Sequence, residues 1–177
     1  MTLADQPTII LGPPPFPPQL AARRRPLSKV PERITGHFWV IKVLTTAMGE
    51  AASDYLAHHM NPFLAGFVGA LAFAIALGLQ LSVRRYQPAR YWFTVAMVAV
   101  FGTMAADGVH FELGVPYILS SLFYGLVLAG VLVAWYRSEG TLSIHSIVNR
   151  RRELYYWATV LATFALGTAV GDLTAFS

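Results

Sequence analysis

The sequence predicts an all-α membrane protein with about five transmembrane helices. Of its 177 residues, 55% are hydrophobic and only 12% are charged, a balance far too apolar for an ordinary soluble domain. Five apolar stretches each approach the ~20 residues that a helix needs to cross ~30 Å of hydrocarbon. They cover residues 35–57, 62–83, 91–109, 115–136 and 154–175.

The first 34 residues are predicted to be a separate cytoplasmic leader, disordered or in polyproline conformation. Eight of the eleven prolines lie in residues 1–34, and helical periodicity does not survive that density. Residues 35–177 are then the membrane domain. The chain contains no cysteine, which excludes disulfides, cysteine-ligated zinc and thiol catalysis.

Basic residues predict the orientation of the helices. They precede the first apolar stretch and separate the second from the third and the fourth from the fifth, whereas the other two loops contain no lysine or arginine. The positive-inside rule places the basic loops and the N-terminus in the cytoplasm. The net charge of +4 is therefore a topology signal and not a nucleic-acid footprint, and the predicted partner is the lipid bilayer.

One pattern occurs three times in the apolar stretches. An aromatic residue and a tryptophan are followed by glycine ten residues after the tryptophan, and by aspartate five residues later. The pattern predicts parallel two-helix repeats at about 35–84 and 88–137 and a partial repeat at about 153–177, related by an axis along the membrane normal. The copies are Phe38-Trp39…Gly49…Asp54, Tyr91-Trp92…Gly102…Asp107 and Tyr156-Trp157…Gly167…Asp172.

The repeated aspartates are the predicted functional residues. Acids in membrane-length apolar segments are costly and usually mark a functional route. Three carboxylates at one depth, Asp54, Asp107 and Asp172, would form an acidic ring or vestibule selective for cations. The alternative is that they cap the outer helix ends and contact water.

Glu50 departs from the repeat, because the other copies have threonine at this position. It lies at i,i+4 from Asp54, so the two carboxylates could share a proton or coordinate a hard cation. Lys42 either pairs with Glu50 or extends towards the membrane interface. His58 and His110 follow the aspartates at helical spacing, which would suit a transition metal such as Mn²⁺ or Zn²⁺ or would be ordinary for an exterior turn.

Small residues near the aspartates predict close helix packing. They are paired at i,i+4, a spacing that lets helix backbones approach closely in lipid. The tryptophans at the other end of the same helices are predicted interface anchors. The pairs are Gly49 with Ser53, Gly102 with Ala106 and Gly167 with Gly171, and the anchors are Trp39, Trp92 and Trp157.

The sequence contains no GxSxG, HExxH or phosphate-loop motif, so we expect neither an enzyme nor a bound cofactor. The favoured function is a small cation transporter or exporter, with a divalent metal or a proton as its substrate. The alternative is a non-transporting membrane scaffold or subunit, assembled as a homo-oligomer through the small-residue helix faces.

The repeated residues resemble the DUF347-repeat family of uncharacterised bacterial membrane-anchored proteins. The likeness covers about residues 30–175, from Val30-Pro31 through Phe38–Thr46 to the third aromatic-tryptophan copy. It implies a multi-pass protein of the bacterial inner membrane and supplies no established activity. Members typically carry more such repeats, so the resemblance also implies that the C-terminal part of the family pattern is missing from this sequence.

Overall fold

A computed structural model describes residues 28–31 and 33–176. In this part of the chain the fold is all-helical, which confirms the predicted fold class. A π-helical turn, Gly108–Glu112, continues the third helix, and a short 3-10 turn, Ile144–Ser146, precedes the fifth. The five helices are α1 (Gly36–His59), α2 (Pro62–Leu81), α3 (Pro88–Asp107), α4 (Tyr117–Glu139) and α5 (Arg150–Phe176).

The helices begin and end at residues suited to those positions. The Thr35 hydroxyl accepts a hydrogen bond from the Phe38 amide at the start of α1, and the Asn61 side chain caps α2 in front of Pro62. Gly140 ends α4 in the left-handed conformation, with φ at 69°, which favours glycine.

Four of the five helices are long and apolar enough to cross a membrane, namely α2, α3 with its π-helical turn, α4 and α5. The first helix is of similar length, but no stretch of it is apolar enough to meet the same description, and Lys42, Glu50 and Asp54 lie along it. Large apolar side chains are exposed around the bundle, among them Phe67 and Leu126, as expected for a surface in contact with lipid.

The third helix lies at the centre of the bundle. It packs against α1, α2 and α5, and α4 packs against α5. The Val98 and Ala99 side chains of α3 are completely buried. Helices α1, α3 and α5 run in the same direction. Their tryptophans therefore gather at one end, the Trp end, and their aspartates at the other, the Asp end.

The parallel helices α3 and α5 pack in the register of the sequence repeat. Tyr91 and Tyr156 occupy the same repeat position, and their hydroxyls are hydrogen-bonded at 2.6 Å. Thr103 and Thr168 are a second such pair, with hydroxyl oxygens 3.3 Å apart. Residues at equivalent positions of the sequence repeat therefore lie at the same level of the bundle in α3 and α5.

Most of the predicted leader lies outside the described residues. Its described part is held at the Trp end, where Ser28, Lys29 and Val30 are buried. The Lys29 amide donates to the Ile147 carbonyl at 3.2 Å, and the Ser28 carbonyl accepts from the Tyr86 amide at 2.9 Å. These bonds tie the segment before α1 to the loops that precede α3 and α5.

Candidate cation site at the Asp end

A cavity of about 670 Å³ opens at the Asp end, between α1, the start of α2 and the end of α3. Two of the predicted aspartates, Asp54 and Asp107, line it together with His58, and Glu112 of the π-helical turn adds a third carboxylate. Most of the remaining wall is apolar, including Phe63, Phe101, Met104 and Phe111. The site is therefore a hydrophobic recess with acidic groups at its wall.

The repeat is what brings the acids together. Asp54 and Asp107 end the same pattern on neighbouring parallel helices, so both reach the Asp end. Asp107 is partly buried whereas Asp54 is exposed. The Asp107 carboxylate lies within electrostatic range of Asp54, Glu50 and Asp172.

The two predicted histidine ligands are held by backbone carbonyls. The His58 Nδ1–H donates to the Asp54 carbonyl oxygen at 2.7 Å, one turn earlier in α1. The His110 Nδ1–H donates to the Val115 carbonyl oxygen at 2.7 Å, and its ring stacks on Tyr117 with centroids 3.6 Å apart. In the neutral imidazoles this leaves Nε2 as the lone-pair nitrogen.

Ser53 is a cavity residue whose role the sequence did not predict. It lines the recess beside Asp54 and is completely buried, and its hydroxyl has no hydrogen-bond partner among the described residues. Buried hydroxyls are usually bonded, so an unsatisfied one in a cavity wall has both its proton and its oxygen lone pairs without a described partner. The sequence indicated only a small residue beside Gly49.

The predicted metal ligands do not form a closed centre. In residues 28–31 and 33–176, no three histidine, aspartate or glutamate side chains are grouped closely enough to hold a metal ion. Glu50 is exposed and lies outside the cavity lining, as does the partly buried Asp172. The Lys42 ammonium lies over the Phe164 ring, 3.7 Å from its centroid, and within the described part of the chain it makes no salt bridge with Glu50.

The Trp end holds a buried ionic network that the sequence also did not predict. The Lys29 ammonium is 2.7 Å from Glu153 Oε2, and Glu153 is completely buried. The Gln80 amide donates to Glu153 Oε1 at 3.1 Å and to the Lys29 carbonyl at 3.3 Å. One feature of the sequence could have indicated a buried polar contact here, since Gln80 is the one polar side chain between Pro62 and Leu81.

The three predicted anchor tryptophans differ in environment. Trp39 has 59% of its surface exposed, whereas Trp92 is partly buried and Trp157 is 1% exposed. Trp157 packs into a core with Tyr91, Trp135 and Ile147, so it contributes to internal packing at the Trp end.

Of three comparisons with known proteins, only the one with protein families gives a match. No curated protein and no solved structure matches the chain. A family model described as Repeat of Unknown Function (DUF347) matches residues 37–86 and again 90–141. The two matches correspond to the helix pairs α1–α2 and α3–α4 and together cover more than half of the sequence. The chain therefore belongs to the DUF347-repeat family.

Proposed function

We propose that this protein is a cation transporter whose cargo binds in the cavity at the Asp end. The observation that carries the proposal is the recess of about 670 Å³ with Asp54, Asp107 and the unpartnered Ser53 hydroxyl in its wall. Carboxylates in a region of low dielectric attract a cation strongly, and the same groups would reject anions.

The form of the cavity favours an organic cation as cargo. Its volume falls in the range of about 300–1,000 Å³ that is typical of small-molecule sites. An ammonium group could pair with the aspartates while its apolar part contacts Phe63 and Phe101, both lining residues. A divalent metal exchanged for protons is the second candidate cargo. It would retain water among its ligands, because three protein ligands are not grouped in the described part of the chain.

The two ends of the bundle would have different roles in transport. The Asp end would be the open side of an alternating-access cycle, and the Lys29–Glu153 contact would keep the Trp end closed. Basic residues at the Trp end favour an orientation in the bacterial inner membrane with that end in the cytoplasm. The cavity would then face outwards.

The test is uptake by proteoliposomes of radiolabelled tetraethylammonium, of Mn²⁺ and of protons, each measured separately. We expect uptake of the organic cation by the wild type and its loss in Asp54→Asn and Asp107→Asn. Asp172→Asn is the matched control, because it removes a carboxylate at the same repeat position outside the cavity lining. Wild-type uptake by the folded Asp54→Asn/Asp107→Asn double variant would refute the proposal.

A non-transporting membrane scaffold is the second candidate function. The observation in its favour is the small-residue face of α5, where Gly167 and Gly171 have no described atom within 4 Å of the position that a Cβ atom would take. Well-folded wild type that moves none of the three probes, while remaining oligomeric in detergent, would favour this function over transport.

A further inference from the structure

The interface between α1 and α3 is repeated between α3 and α5. At the Trp end, Phe38 contacts Trp92 with ring centroids 5.2 Å apart. The equivalent pair in the next repeat, Tyr91 and Trp157, has centroids 5.5 Å apart. In both cases the aromatic residue of one repeat lies against the tryptophan of the following repeat.

The middle of the two interfaces corresponds in the same way. A Cβ atom added to Gly49 would overlap Ala99 and come within 3.1 Å of the Val100 amide nitrogen. A Cβ atom added to Gly102 would lie 2.8 Å from the Phe164 Cβ and 3.5 Å from the Ala165 amide nitrogen. Phe164 and Ala165 are the repeat equivalents of Ala99 and Val100. The same contact therefore occurs twice. Its glycine side is supplied by α1 in the first contact and by α3 in the second, and the opposing side is supplied by α3 and then by α5.

The glycine side of this interface is exposed on α5. Val98 and Ala106 on the α5-facing side of α3 are buried, whereas their equivalents Thr163 and Gly171 on α5 are exposed. Gly167, the equivalent of Gly49 and Gly102, is also exposed, with open space around it in the described part of the molecule.

The opposing side of the interface, which faces the glycine in each contact, is exposed on α1. Val100 is 6% exposed on the α1-facing side of α3, whereas its equivalent Ala47 is exposed. Ala96 is 9% exposed and its equivalent Val43 is 65% exposed. The exposure of Trp39 follows from the same difference, because no described aromatic residue of a preceding repeat lies against it.

We propose that α1 of a second copy of this chain docks on the Gly167 face of α5, as α1 docks on α3 and α3 on α5 within one chain. Trp39 of the second copy would lie against Tyr156. Its Thr46 and Ala47, the equivalents of Ala99 and Val100, would lie over Gly167. Insertion into one membrane gives all copies the same orientation, so the two helices would be parallel, as the internal contacts require. Such a head-to-tail contact forms closed rings or open rows of copies.

The contact would also extend the acidic region. Asp54 and Asp107 line one cavity, and Asp107 and Asp172 occupy the same repeat position on α3 and α5, which pack in the register of the repeat. The docked copy would place its own Asp54 and Glu50 next to Asp172. The carboxylates would then continue from one chain to the next, whatever the cargo.

Cysteine cross-linking in native membranes tests the proposal, because the natural chain has no cysteine. Two differently tagged copies would be co-expressed, one with Gly167→Cys and the other with Ala47→Cys, and oxidised. We expect a disulfide-linked pair that carries both tags. Gly130→Cys replaces an exposed glycine of α4, and its pairing with Ala47→Cys should stay at background.

A steric block provides the second arm of the test. Gly167→Leu should abolish the wild-type oligomer counted by single-molecule photobleaching in liposomes, whereas Gly130→Leu should leave it unchanged. Three results would overturn the proposal: no mixed cross-link above background, linkage of Gly167→Cys to itself in preference to Ala47→Cys, or a wild-type chain that is monomeric in liposomes. Because none of these readouts requires transport, they are independent of the proposed cargo.

Discussion

The two ends of the bundle place carboxylates in different environments. At the Trp end, Glu153 is completely buried and both of its carboxylate oxygens have partners. At the Asp end, Asp54, Asp107 and Glu112 line an open cavity, and the buried Ser53 hydroxyl has no partner among the described residues. A buried carboxylate that is bonded through both oxygens holds helices together, whereas carboxylates that line an open cavity are available to a ligand. Unsatisfied buried polar atoms occur at both ends, since Gln80 Oε1 and Trp157 Nε1 at the Trp end also lack a partner among the described residues.

The largest expected effect is at the Trp end. Glu153→Ala would leave the Lys29 ammonium buried without its partner, which should cost about 3–5 kcal/mol of stability. Thermal unfolding in detergent micelles would show a large fall in the midpoint. Glu112→Ala, which removes an exposed acid at the Asp end, should change it little. An equal fall in the unfolding midpoint for the two variants would contradict the view that the carboxylate at the Trp end stabilises the fold and the one at the Asp end does not.

A second variant separates the ion pair from its environment. Lys29→Met/Glu153→Leu removes both charges and should recover much of the stability that Glu153→Ala loses, because the lone buried charge is then absent. Failure to recover would mean that the network contributes through packing or through Gln80, and not through the charge pair.

A smaller loss is expected from the tyrosine pair. Tyr91→Phe removes one partner of the 2.6 Å hydroxyl contact with Tyr156, at a cost of about 1 kcal/mol. The same unfolding measurement on Tyr156→Phe and on the double variant should give a total that is less than additive. Tyr136→Phe, on an exposed part of α4, is the neutral control.

The smallest expected effect has the opposite sign. Ser53→Ala removes a hydroxyl that has no described partner, so stability should stay the same or rise by about 0.5 kcal/mol. Thr103→Val is the matched control, since it removes a buried hydroxyl that contacts Thr168 and should lower the unfolding midpoint. A loss in Ser53→Ala as large as that in Thr103→Val would show that the Ser53 hydroxyl makes a stabilising hydrogen bond in the folded protein.

The helices and the repeat register could be predicted because both follow from local spacing. Apolar stretches of membrane length predicted the five helices, and the common position of Asp54 and Asp107 predicted that both reach one end. The Lys29–Glu153 pair could not be predicted in this way, because its members are 124 residues apart and belong to no repeat.

The details of the cavity also depend on contacts between helices. The sequence identified Ser53 as a small residue, but its unpartnered hydroxyl follows from how α1 lies against α3. Glu112 enters the cavity wall because α3 continues into a π-helical turn, a feature that is common at functional sites and has no sequence pattern in this chain. Glu50 was prominent in the sequence because it breaks the repeat, yet it lies outside the cavity lining.

Ligand protection of a single cysteine tests the cation site most directly. Ala57→Cys places a thiol at the cavity wall, whereas Ala51→Cys places one on an exposed part of the same helix outside the lining. We expect tetraethylammonium to slow maleimide labelling at position 57 and not at position 51, and Asp107→Asn to remove that protection. Equal labelling with and without the cation at position 57, or protection that survives Asp54→Asn/Asp107→Asn, would contradict a cation site at the Asp end.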